Sequence, residues 1–455
     1  MEAVTARCHT AERPADPASL ERGVRQLLAD KFSGSYLGLW LLAAEHLRLG
    51  TWDLLLGWTG QPAQSVEPRL ALQLVHEAAL CVAGLRDKRS SLQKGFCLAA
   101  GLPFLASDSG IHQLLGKHSV AQAENLQRAL GRQRQRLGDY AGKVLVVDPH
   151  RLHSYSRRHM RRQRKEPTAP PRKMAQTFFA LDGDTCQPVC FTTGTASRTV
   201  SQATPGLLDL ATDILGQRQQ PILVLADAEH FTSELVDDVH RRTGMDLLVP
   251  MIIRKGFLER LRTLPETQFR RHWAGYATAT LSHQLSKQEA GPLPLFVQRF
   301  GETPSDYKFT VFLCTAERDE VESLVRDYPK RWHVEEFFNL EQALGWDRAG
   351  TQNLNIRYGH MTMALLAQAV LRQLRQRLGL PQAIWDGKHL AKDVLQGLEG
   401  DVRVTEKTLI VTYYNAPEAE RFREHYQNLP ARLRAEGIDP HLPWLYDYQL
   451  DFRFR

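Results

Sequence analysis

The sequence has few cysteines and no long apolar run, and these shortages exclude several classes of protein. Its six cysteines are spread over 455 residues, too sparsely for a disulfide scaffold, so we expect a reducing compartment. The N-terminal stretch lacks the apolar core of a signal peptide, and the run "YLGLWLLAA" is far too short to span a bilayer. We therefore expect a soluble, cytoplasmic protein with no membrane partner, whose residues 1–20 are disordered.

The sequence also lacks a strong excess of charge of either sign. The chain has 58 basic and 51 acidic side chains, a net charge of +7, which suggests a polyanionic partner without establishing one.

Only Cys186 and Cys190 lie close enough in sequence to suggest a shared metal. No further Cys or His ligand is obvious near them, so packed thiols are the simpler interpretation. The length predicts several structural units rather than one core.

The first part of the chain has a helical pattern. From about residue 20 to 140, apolar residues recur three and four positions apart, which predicts amphipathic helices. Within this part, Gly101 and Pro103 end one helix, and Ser107 or Asp108 can cap another. A helix, a turn and a capped helix are typical of a DNA-reading unit, and equally of the corner of a helical bundle.

At residue 143 the pattern changes to short runs rich in β-branched residues. Three strands, the second and third joined by a turn at Asp182-Gly183, are followed by a helix, a strand, a helix and a strand. This order predicts a mixed sheet with helices on its faces. Between residues 255 and 315, further strand-like runs separated by Gly and Pro predict a β-rich insertion. The helix that follows the third strand has one apolar face, formed by Leu207, Leu208, Leu210, Ala211, Ile214 and Leu215.

Two aspartates follow directly on apolar strands of this sheet. Asp148 ends "KVLVVD" and Asp227 ends "PILVLAD". Ligand sites gather at the carboxyl ends of strands in open sheets, so the two side chains can converge if their strands are neighbours. The simpler interpretation of each aspartate taken alone is a turn residue.

A third acid lies in "YPKRWHVEEFFNLEQALGW". Asp327 can cap a helix and Pro329 suits its first turn, so a helix is predicted to start there. At about 100° per residue, Arg331, Glu335 and Gln342 then share one stripe with Tyr328. The predicted buried face of this helix consists of Phe337, Leu340 and Leu344. The simpler interpretation is an amphipathic helix carrying an i,i+4 ion pair.

The same stretch resembles the signature of insertion-sequence DDE transposases, in which Tyr, Arg, Glu and Lys lie on the helix that brings a catalytic glutamate to an RNase H-like sheet. "VVDPHR" and "LADAEHF" are similar to the two aspartate segments of that family. The three acids are separated by 79 and 108 residues, and the second gap is long enough for the β-insertion typical of this branch. The resemblance covers about residues 140–380. It departs at Gln342, where the family has lysine.

The resemblance implies a site for two Mg²⁺ or Mn²⁺ ions. Asp148 is expected to bridge them, while Asp227 holds one ion and Glu335 the other. Water would first free a 3′-OH at an element end, and this hydroxyl would then attack target DNA. Four side chains on the glutamate helix are expected to contact DNA phosphates, with Gln342 donating hydrogen bonds but no charge: Tyr328, Lys330, Arg331 and Gln342.

A basic segment follows Asp148. Residues 150–173 contain seven Arg and two Lys against one acid, Glu166. Such a cluster beside an acidic metal site suits binding to the DNA backbone, although a solvated charged loop has the same composition. The candidate DNA contacts in this segment are Arg157, Arg158, Arg161 and Arg162.

These patterns together predict an α/β protein with an RNase H-like mixed sheet flanked by helices, a β-rich insertion and an N-terminal all-helical region. The expected divisions are a disordered N-terminus (1–20), a helical DNA-binding region (21–140), the first part of the catalytic core (141–254), the insertion (255–315), the second part of the core with the glutamate helix (316–380) and a C-terminal segment (381–455).

The function implied is cut-and-paste transposition by a DDE transposase. The partners expected are double-stranded DNA, both the terminal inverted repeats of the element and the target, and a second copy of the chain in a homodimer. A bacterial, cytoplasmic location with association with the nucleoid follows from this function. Two alternatives remain open: a non-catalytic DNA-binding relative, favoured by Gln342, and a structure-specific nuclease on the same fold.

Overall fold

The computed structural model describes residues 16–84, 88, 92, 94–156, 159–160, 162–164, 168–195, 197–216, 219–285, 291–347 and 350–455. The chain divides into two compact units. The first comprises Met1–Gln133 and Phe338–Arg455, and the second comprises Arg134–Phe337. Among the described residues, no helix combines the length and the apolar character needed to cross a membrane.

The elements are numbered in chain order. The α-helices whose full extent is described are α1 (Pro17–Ala29), α2 (Leu41–Leu49), α3 (Thr51–Thr59), α4 (Val66–Ala79), α5 (Lys94–Ala99), α6 (Asp108–Lys117), α7 (Val120–Arg136), α8 (Val200–Leu215), α9 (Ser233–Asp238), α10 (Lys255–Arg262), α11 (His333–Glu341), α12 (Leu354–Leu378), α13 (Gly387–Leu390), α14 (Ala419–Tyr426) and α15 (Leu429–Ala435). The strands are β1 (Phe32–Gly34), β2 (Val144–His153), β3 (Arg162–Gln163), β4 (Arg172–Asp182), β5 (Gln187–Thr195), β6 (Leu223–Leu225), β7 (Asp246–Pro250), β8 (Arg270–Trp273), β9 (Tyr276–His283), β10 (Leu293–Phe300), β11 (Lys308–Cys314), β12 (Gly400–Thr405), β13 (Thr408–Tyr413), β14 (His441–Leu442) and β15 (Tyr448–Phe454).

The N-terminal region is helical, as the sequence predicts, except for the short strand β1. Helix α1 begins at Pro17 because the Asp16 side chain accepts a hydrogen bond from the Ser19 N–H and proline suits the first helical position. It therefore includes the end of the segment 1–20 that was expected to be disordered; residues 1–15 of that segment lie outside the described residues. The predicted cap of α6 is confirmed, since Ser107 Oγ accepts from the Gly110 N–H.

The first unit also contains a five-stranded sheet, in the order β1-β12-β13-β15-β14. Its strand β1 pairs antiparallel with β12, Phe32 lying opposite Val402. The N-terminal region and the C-terminal segment are predicted as separate parts of the chain, and this pairing joins them in one sheet. A second link is the turn at Gly101, where φ is +71° and a Cβ atom would lie 2.0 Å from the Trp444 carbonyl oxygen.

The second unit is built on a sheet with the order β3-β4-β2-β6-β7-β11-β10-β9-β8, in which β5 also pairs with β4. Strands β2, β4 and β5 form an antiparallel meander, whereas β6 and β7 run parallel to β2. The order β5-β4-β2-β6-β7 with these directions is the RNase H-like arrangement, which confirms the predicted fold class. Helix α8, closed at its start by a capping box between Thr199 and Gln202, buries its predicted apolar face in the core of this unit.

Strand β2 is longer than predicted. The strand was expected to end at Asp148, but it continues to His153 and stays paired with β4 throughout. Its parallel pairing with β6 stops at Val146. Beyond that point only one side of β2 is paired, which explains why Pro149, with no N–H to donate, is tolerated within it.

The strands of the expected insertion are continuous with the sheet that contains β2, β6 and β7. Strand β11 pairs antiparallel with β7, with Leu313 opposite Val249, and β10, β9 and β8 follow outward. Helix α10, which precedes these strands, was not predicted. Apolar residues on the added strands, such as Val297, belong to the same buried cluster as Val147 on β2.

The helix that carries Glu335 starts earlier and is less regular than predicted. Helical structure runs from Glu320 to Leu344 as a π turn over Glu322–Asp327, a 3-10 turn over Tyr328–Trp332, helix α11 and a final 3-10 turn. Asp327 lies inside this run and makes no capping hydrogen bond, so its predicted role as a cap is wrong. Pro329 lacks the N–H that an uninterrupted α-helix would need, and the run changes its turn type there.

The predicted apolar face of this helix is partly correct. Phe337 and Leu344 are buried, as predicted, but Leu340 is 46% exposed. Val334 and Phe338 are buried instead. Within α11, Val334, Phe337 and Phe338 recur at i, i+3 and i+4 and define the buried face, and Leu340 lies outside that face.

Candidate active site

The two candidate aspartates lie on neighbouring parallel strands. Strand β2 carries Asp148, and β6 leads into Asp227 two residues after its last paired residue. The condition that the sequence left open, adjacency of the two strands, is therefore met. Both carboxylates are at the end of the β2–β6 pairing, where the sheet leaves room for a ligand.

Arg331 bridges two of the three acids. One guanidinium nitrogen lies 3.6 Å from Asp148 Oδ1 and the other lies 3.6 Å from Glu335 Oε1. The guanidinium carbon Cζ lies 4.7 Å from the centre of the Trp332 ring. The Arg331 side chain is mostly buried, while that of Glu335 is half exposed. The structure thus brings together three of the predicted site residues: the carboxylates of Asp148 and Glu335 lie on either side of the Arg331 guanidinium.

The Asp148 carboxyl is electrostatically crowded. Burial, the negative charge of Asp227 and smaller contributions from Glu335 and Glu229 raise its pKa to about 7, although Arg331 opposes the shift. The charge of Asp227 therefore acts directly on Asp148. A carboxyl whose pKa is raised by burial and by specific charged neighbours is a candidate for a functional site.

The surroundings of Asp227 shift its pKa in the opposite direction. Burial alone would raise its pKa, but a hydrogen bond and the charge of His230, together with the Glu229 N–H and Arg331, hold the pKa below its ordinary value. The His230 Nδ1 lies 2.6 Å from Asp227 Oδ1, and the same oxygen accepts from the Glu229 N–H at 3.1 Å. These contacts fix the carboxylate at the start of the 3-10 turn Ala228–His230.

Three residues beside the acids, His230, Glu229 and Arg151, are not predicted from the sequence. His230 is buried and positions Asp227, whereas Arg151 on β2 forms an ion pair with Glu229. The spacing Asp-x-x-His in "DAEH" is the one signal in the sequence that points to His230. Nothing in the sequence indicates the Arg151–Glu229 pair, because Arg151 lies on β2 and Glu229 lies 78 residues later in the 3-10 turn that follows β6.

The donor set suits hard divalent cations. Three carboxylates supply only oxygen ligands, which Mg²⁺ and Mn²⁺ prefer, and the repulsion that raises the pKa of Asp148 is the kind that a cation relieves. Among the described residues, the oxygens of these three acids are not all within 4.8 Å of one another. The three carboxylates therefore do not form a closed cluster around a single point.

Two predicted DNA contacts of the glutamate helix have protein partners. Tyr328 is half-buried, its hydroxyl donates to the Ala226 carbonyl at 3.5 Å, and its ring meets Phe312 edge-on at 4.5 Å. Burial, slightly opposed by Arg331, raises the pKa of Tyr328 to about 12, so its hydroxyl remains protonated. Lys330 is bound by two carboxylates, those of Asp184 at 2.8 Å and Asp327 at 3.0 Å.

The remaining predicted contacts are spread more widely. Gln342 lies in the first unit, where its backbone carbonyl oxygen accepts hydrogen bonds from the backbone N–H groups of Gly345, Trp346 and Asp347. Arg162 is exposed on β3, paired with Lys173. Three further candidates lie outside the described residues: Arg157, Arg158 and Arg161.

Comparison with known proteins agrees with this geometry. The family described as "Transposase DDE domain" matches residues 140–370, just over half of the chain and a range that contains all three acids. No curated protein matches the chain significantly.

Among solved structures, the chain is similar to a piggyBac transposase synaptic complex with hairpin DNA, determined by cryo-EM. The identity is 11%, the match covers 87% of this chain and 82% of that one, and the TM-score is 0.40. A TM-score this low does not establish a common fold, so the family assignment depends on the matched domain. The chain belongs to the family of transposase DDE domains.

Proposed function

We propose that this protein is an active transposase that cuts DNA at the ends of its element and joins those ends to target DNA. The observation that supports this most strongly is the electrostatic coupling of Asp148 to Asp227 and Glu335 within the matched transposase domain. Three acids that are far apart in sequence influence one another at the end of the β2–β6 pair. A purely structural role does not require such repulsion.

Each side chain has a distinct task in this proposal. Asp148, which is mostly buried, would serve as the shared ligand for the divalent ions, and Asp227 and Glu335 would complete the set of protein ligands. When bound, these ions supply the positive charge that activates an attacking oxygen and stabilises the leaving oxygen. Arg331, already between Asp148 and Glu335, is placed to bind a DNA phosphate at the cut, for which its planar guanidinium is suited.

DNA is the substrate in this proposal. The basic segment 150–173 follows Asp148 directly and would bind the phosphate backbone. Joining two element ends requires two active sites, so we propose at least a homodimer in the DNA complex. From the resemblance to the insertion-sequence signature, we propose that the protein acts in a bacterial cytoplasm and associates with the nucleoid when it binds DNA.

A second candidate function is DNA binding without strand cleavage. Gln342 favours it, because the related signature has lysine at this position and glutamine contributes no positive charge to a phosphate contact. In this alternative the fold and the acids persist, but the activity is weak or lost.

The test is cleavage of a DNA fragment carrying the gene's own genomic flanks, with Mg²⁺ or Mn²⁺. The wild type is compared with Asp148→Asn, Asp227→Asn and Glu335→Gln. We expect defined, metal-dependent cuts in the wild type and a loss of at least about 10³-fold in each variant, since metal and electrostatic stabilisation of a transition state contributes several kcal/mol.

The matched control is Glu259→Gln, the same chemical change at an exposed position on α10. It should cut at the wild-type rate. Tight binding of the fragment without cleavage under either metal would contradict the proposal and favour the second candidate, and restoring Gln342 to lysine would then be expected to restore cutting. Cleavage of branched DNA irrespective of end sequence would instead indicate a structure-specific nuclease.

A further inference from the structure

A second group of metal-ligating side chains lies beside the acidic site and is chemically different from it. Cys186, His333 and Glu336 each offer one ligand atom, and these atoms all lie within 4.8 Å of one another. Cys186 is the last residue of the turn between β4 and β5, while His333 and Glu336 lie one turn apart on α11. All three belong to the second unit.

The donor types select a borderline-soft cation. A thiolate, an imidazole and a carboxylate match Zn²⁺, whereas Mg²⁺ and Mn²⁺ favour oxygen alone. Zinc bonds of about 2.0–2.3 Å place tetrahedral ligands roughly 3.5 Å apart, so these side chains need to close by about 1 Å. With three protein ligands, the fourth position is left to water.

The imidazole is already oriented for this role. His333 Nδ1 lies 2.7 Å from the Gly183 carbonyl oxygen, a contact in which the ring nitrogen must be the donor. The proton is thereby fixed on Nδ1, and Nε2 keeps its lone pair for a metal. Histidines that bind metals typically donate their other ring N–H to a carbonyl or a carboxylate in this way.

The turn that carries Cys186 is also rigid. The buried Asp182 side chain accepts hydrogen bonds from the N–H groups of Asp184 and Thr185 and from the Thr185 hydroxyl. Asp184 in turn forms an ion pair with Lys330 at 2.8 Å. Cys186 itself has φ of 57°, in the left-handed region that side chains rarely adopt. The hydrogen bond from His333 to Gly183 and the ion pair between Lys330 and Asp184 thus hold the turn against the helical run before any metal binds.

We propose that Cys186, His333 and Glu336 form a zinc site that ties the β4–β5 turn to the start of α11. Glu335 is adjacent to one of its ligands, so zinc would fix the segment that carries the third acid of the active site. The site differs from the oxygen-only site in ligand type and does not require the protein to cut DNA. Its test therefore does not depend on the proposed function.

The test uses Co²⁺ as a spectroscopic substitute for zinc, added to the full chain in the presence of excess Mg²⁺ and a phosphine reductant. We expect a thiolate-to-cobalt charge-transfer band in the near ultraviolet, which Zn²⁺ abolishes by displacement. The band should disappear in Cys186→Ser, and the cobalt affinity should fall at least about tenfold in Glu336→Gln and in His333→Gln.

The matched control is Cys81→Ser. Cys81 is also half-buried, with φ of 56°, so the substitution removes a thiol from the same backbone conformation. Glu259→Gln is a second control, since it neutralises an exposed acid on α10 that belongs to neither proposed metal site. Both should keep the band and the wild-type affinity.

Three outcomes would overturn the proposal: no band in the wild type at millimolar Co²⁺, a band of unchanged intensity in Cys186→Ser, or unchanged affinity in both Glu336→Gln and His333→Gln. Circular dichroism of each variant checks its folding. If Cys186→Ser does not fold, the exposed Glu336 provides the decisive variant.

Discussion

At the scale of single residues, the ionised form of Asp148 lowers the free energy of unfolding. Asp148 has a pKa of about 7, against an ordinary value of 3.8, because burial and the charge of Asp227 disfavour its ionised form. A carboxyl whose pKa is raised by folding is bound to its proton more tightly in the folded state. Stability therefore falls as the pH rises from about 4 to about 7 and stays low above that range.

Asp148→Asn should accordingly stabilise the protein in EDTA. At pH 8 we expect the free energy of unfolding to rise by up to about 4 kcal/mol, from a shift of roughly three pKa units at 1.36 kcal/mol each. Toward pH 5 the gain should shrink, because Asp148 is then protonated in the folded wild type. Urea unfolding at both pH values measures this difference.

The control for that prediction is Asp306→Asn at an exposed position, which should change the free energy of unfolding by less than about 0.5 kcal/mol at either pH. A destabilisation by Asp148→Asn that is equal at pH 5 and pH 8 would show that the carboxylate is not strained by its neighbours.

Residue patterns in the sequence locate the acids and Arg331 but not their supporting contacts. Asp148, Asp227 and Glu335 are recognisable because each stands in a characteristic local context. His230 and Glu229 act through contacts made only in the folded chain. The Cys186–His333–Glu336 group is invisible in sequence for the same reason, since a search near Cys186 and Cys190 finds no further ligand, and Cys190 is buried in the core.

At the scale of elements, periodic patterns are reliable and helix boundaries are not. The buried face of α8 follows from the spacing of its leucines alone. The start of the glutamate helix does not follow from Asp327 and Pro329, although both suit a helix N-terminus. Tertiary contacts decide there: the Asp327 carboxylate binds Lys330 rather than a backbone N–H, and the chain is helical from Glu320.

The turn at Gly101, between α5 and α6, gives a prediction at this scale. Gly101→Ala should lower the free energy of unfolding by roughly 3 kcal/mol or more. The left-handed φ costs about 1–2 kcal/mol for a residue with a Cβ, and the Cβ would press on the Trp444 carbonyl, which also accepts a hydrogen bond from Arg69.

Gly437→Ala separates the two contributions. Gly437 has φ of +75°, but no atom lies within 4 Å of the site of an added Cβ, so only the conformational cost of about 1–2 kcal/mol should appear. Equal losses in the two variants, measured by urea unfolding, would mean that the contact with Trp444 contributes nothing.

At the scale of the whole molecule, the modest net charge of +7 matters less than its distribution. If the basic segment 150–173 binds phosphates, replacing Arg157, Arg158, Arg161 and Arg162 by alanine should weaken DNA binding uniformly across sequences. Each phosphate contact contributes about 0.9 to the slope of log affinity against log salt, so the slope should fall by up to about 3–4. Fluorescence anisotropy over a series of salt concentrations measures it.

Alanine at Arg421, Arg423, Arg432 and Arg434 changes the net charge by the same amount on α14 and α15, and it should leave the salt slope unaltered. If both sets reduce the slope equally, the total charge rather than the basic segment determines DNA binding.

The pairing of β11 with β7 limits how far the second unit can be shortened. Excising the strands Arg270–Cys314 would not release a removable module, because their apolar side chains are part of the core that surrounds β2. The cut would also leave β7 as an open sheet edge with unpaired backbone groups, a template along which separate chains add to one another and precipitate. A soluble miniature would need a replacement strand, or charged residues and proline along β7, before its chemistry was worth assaying.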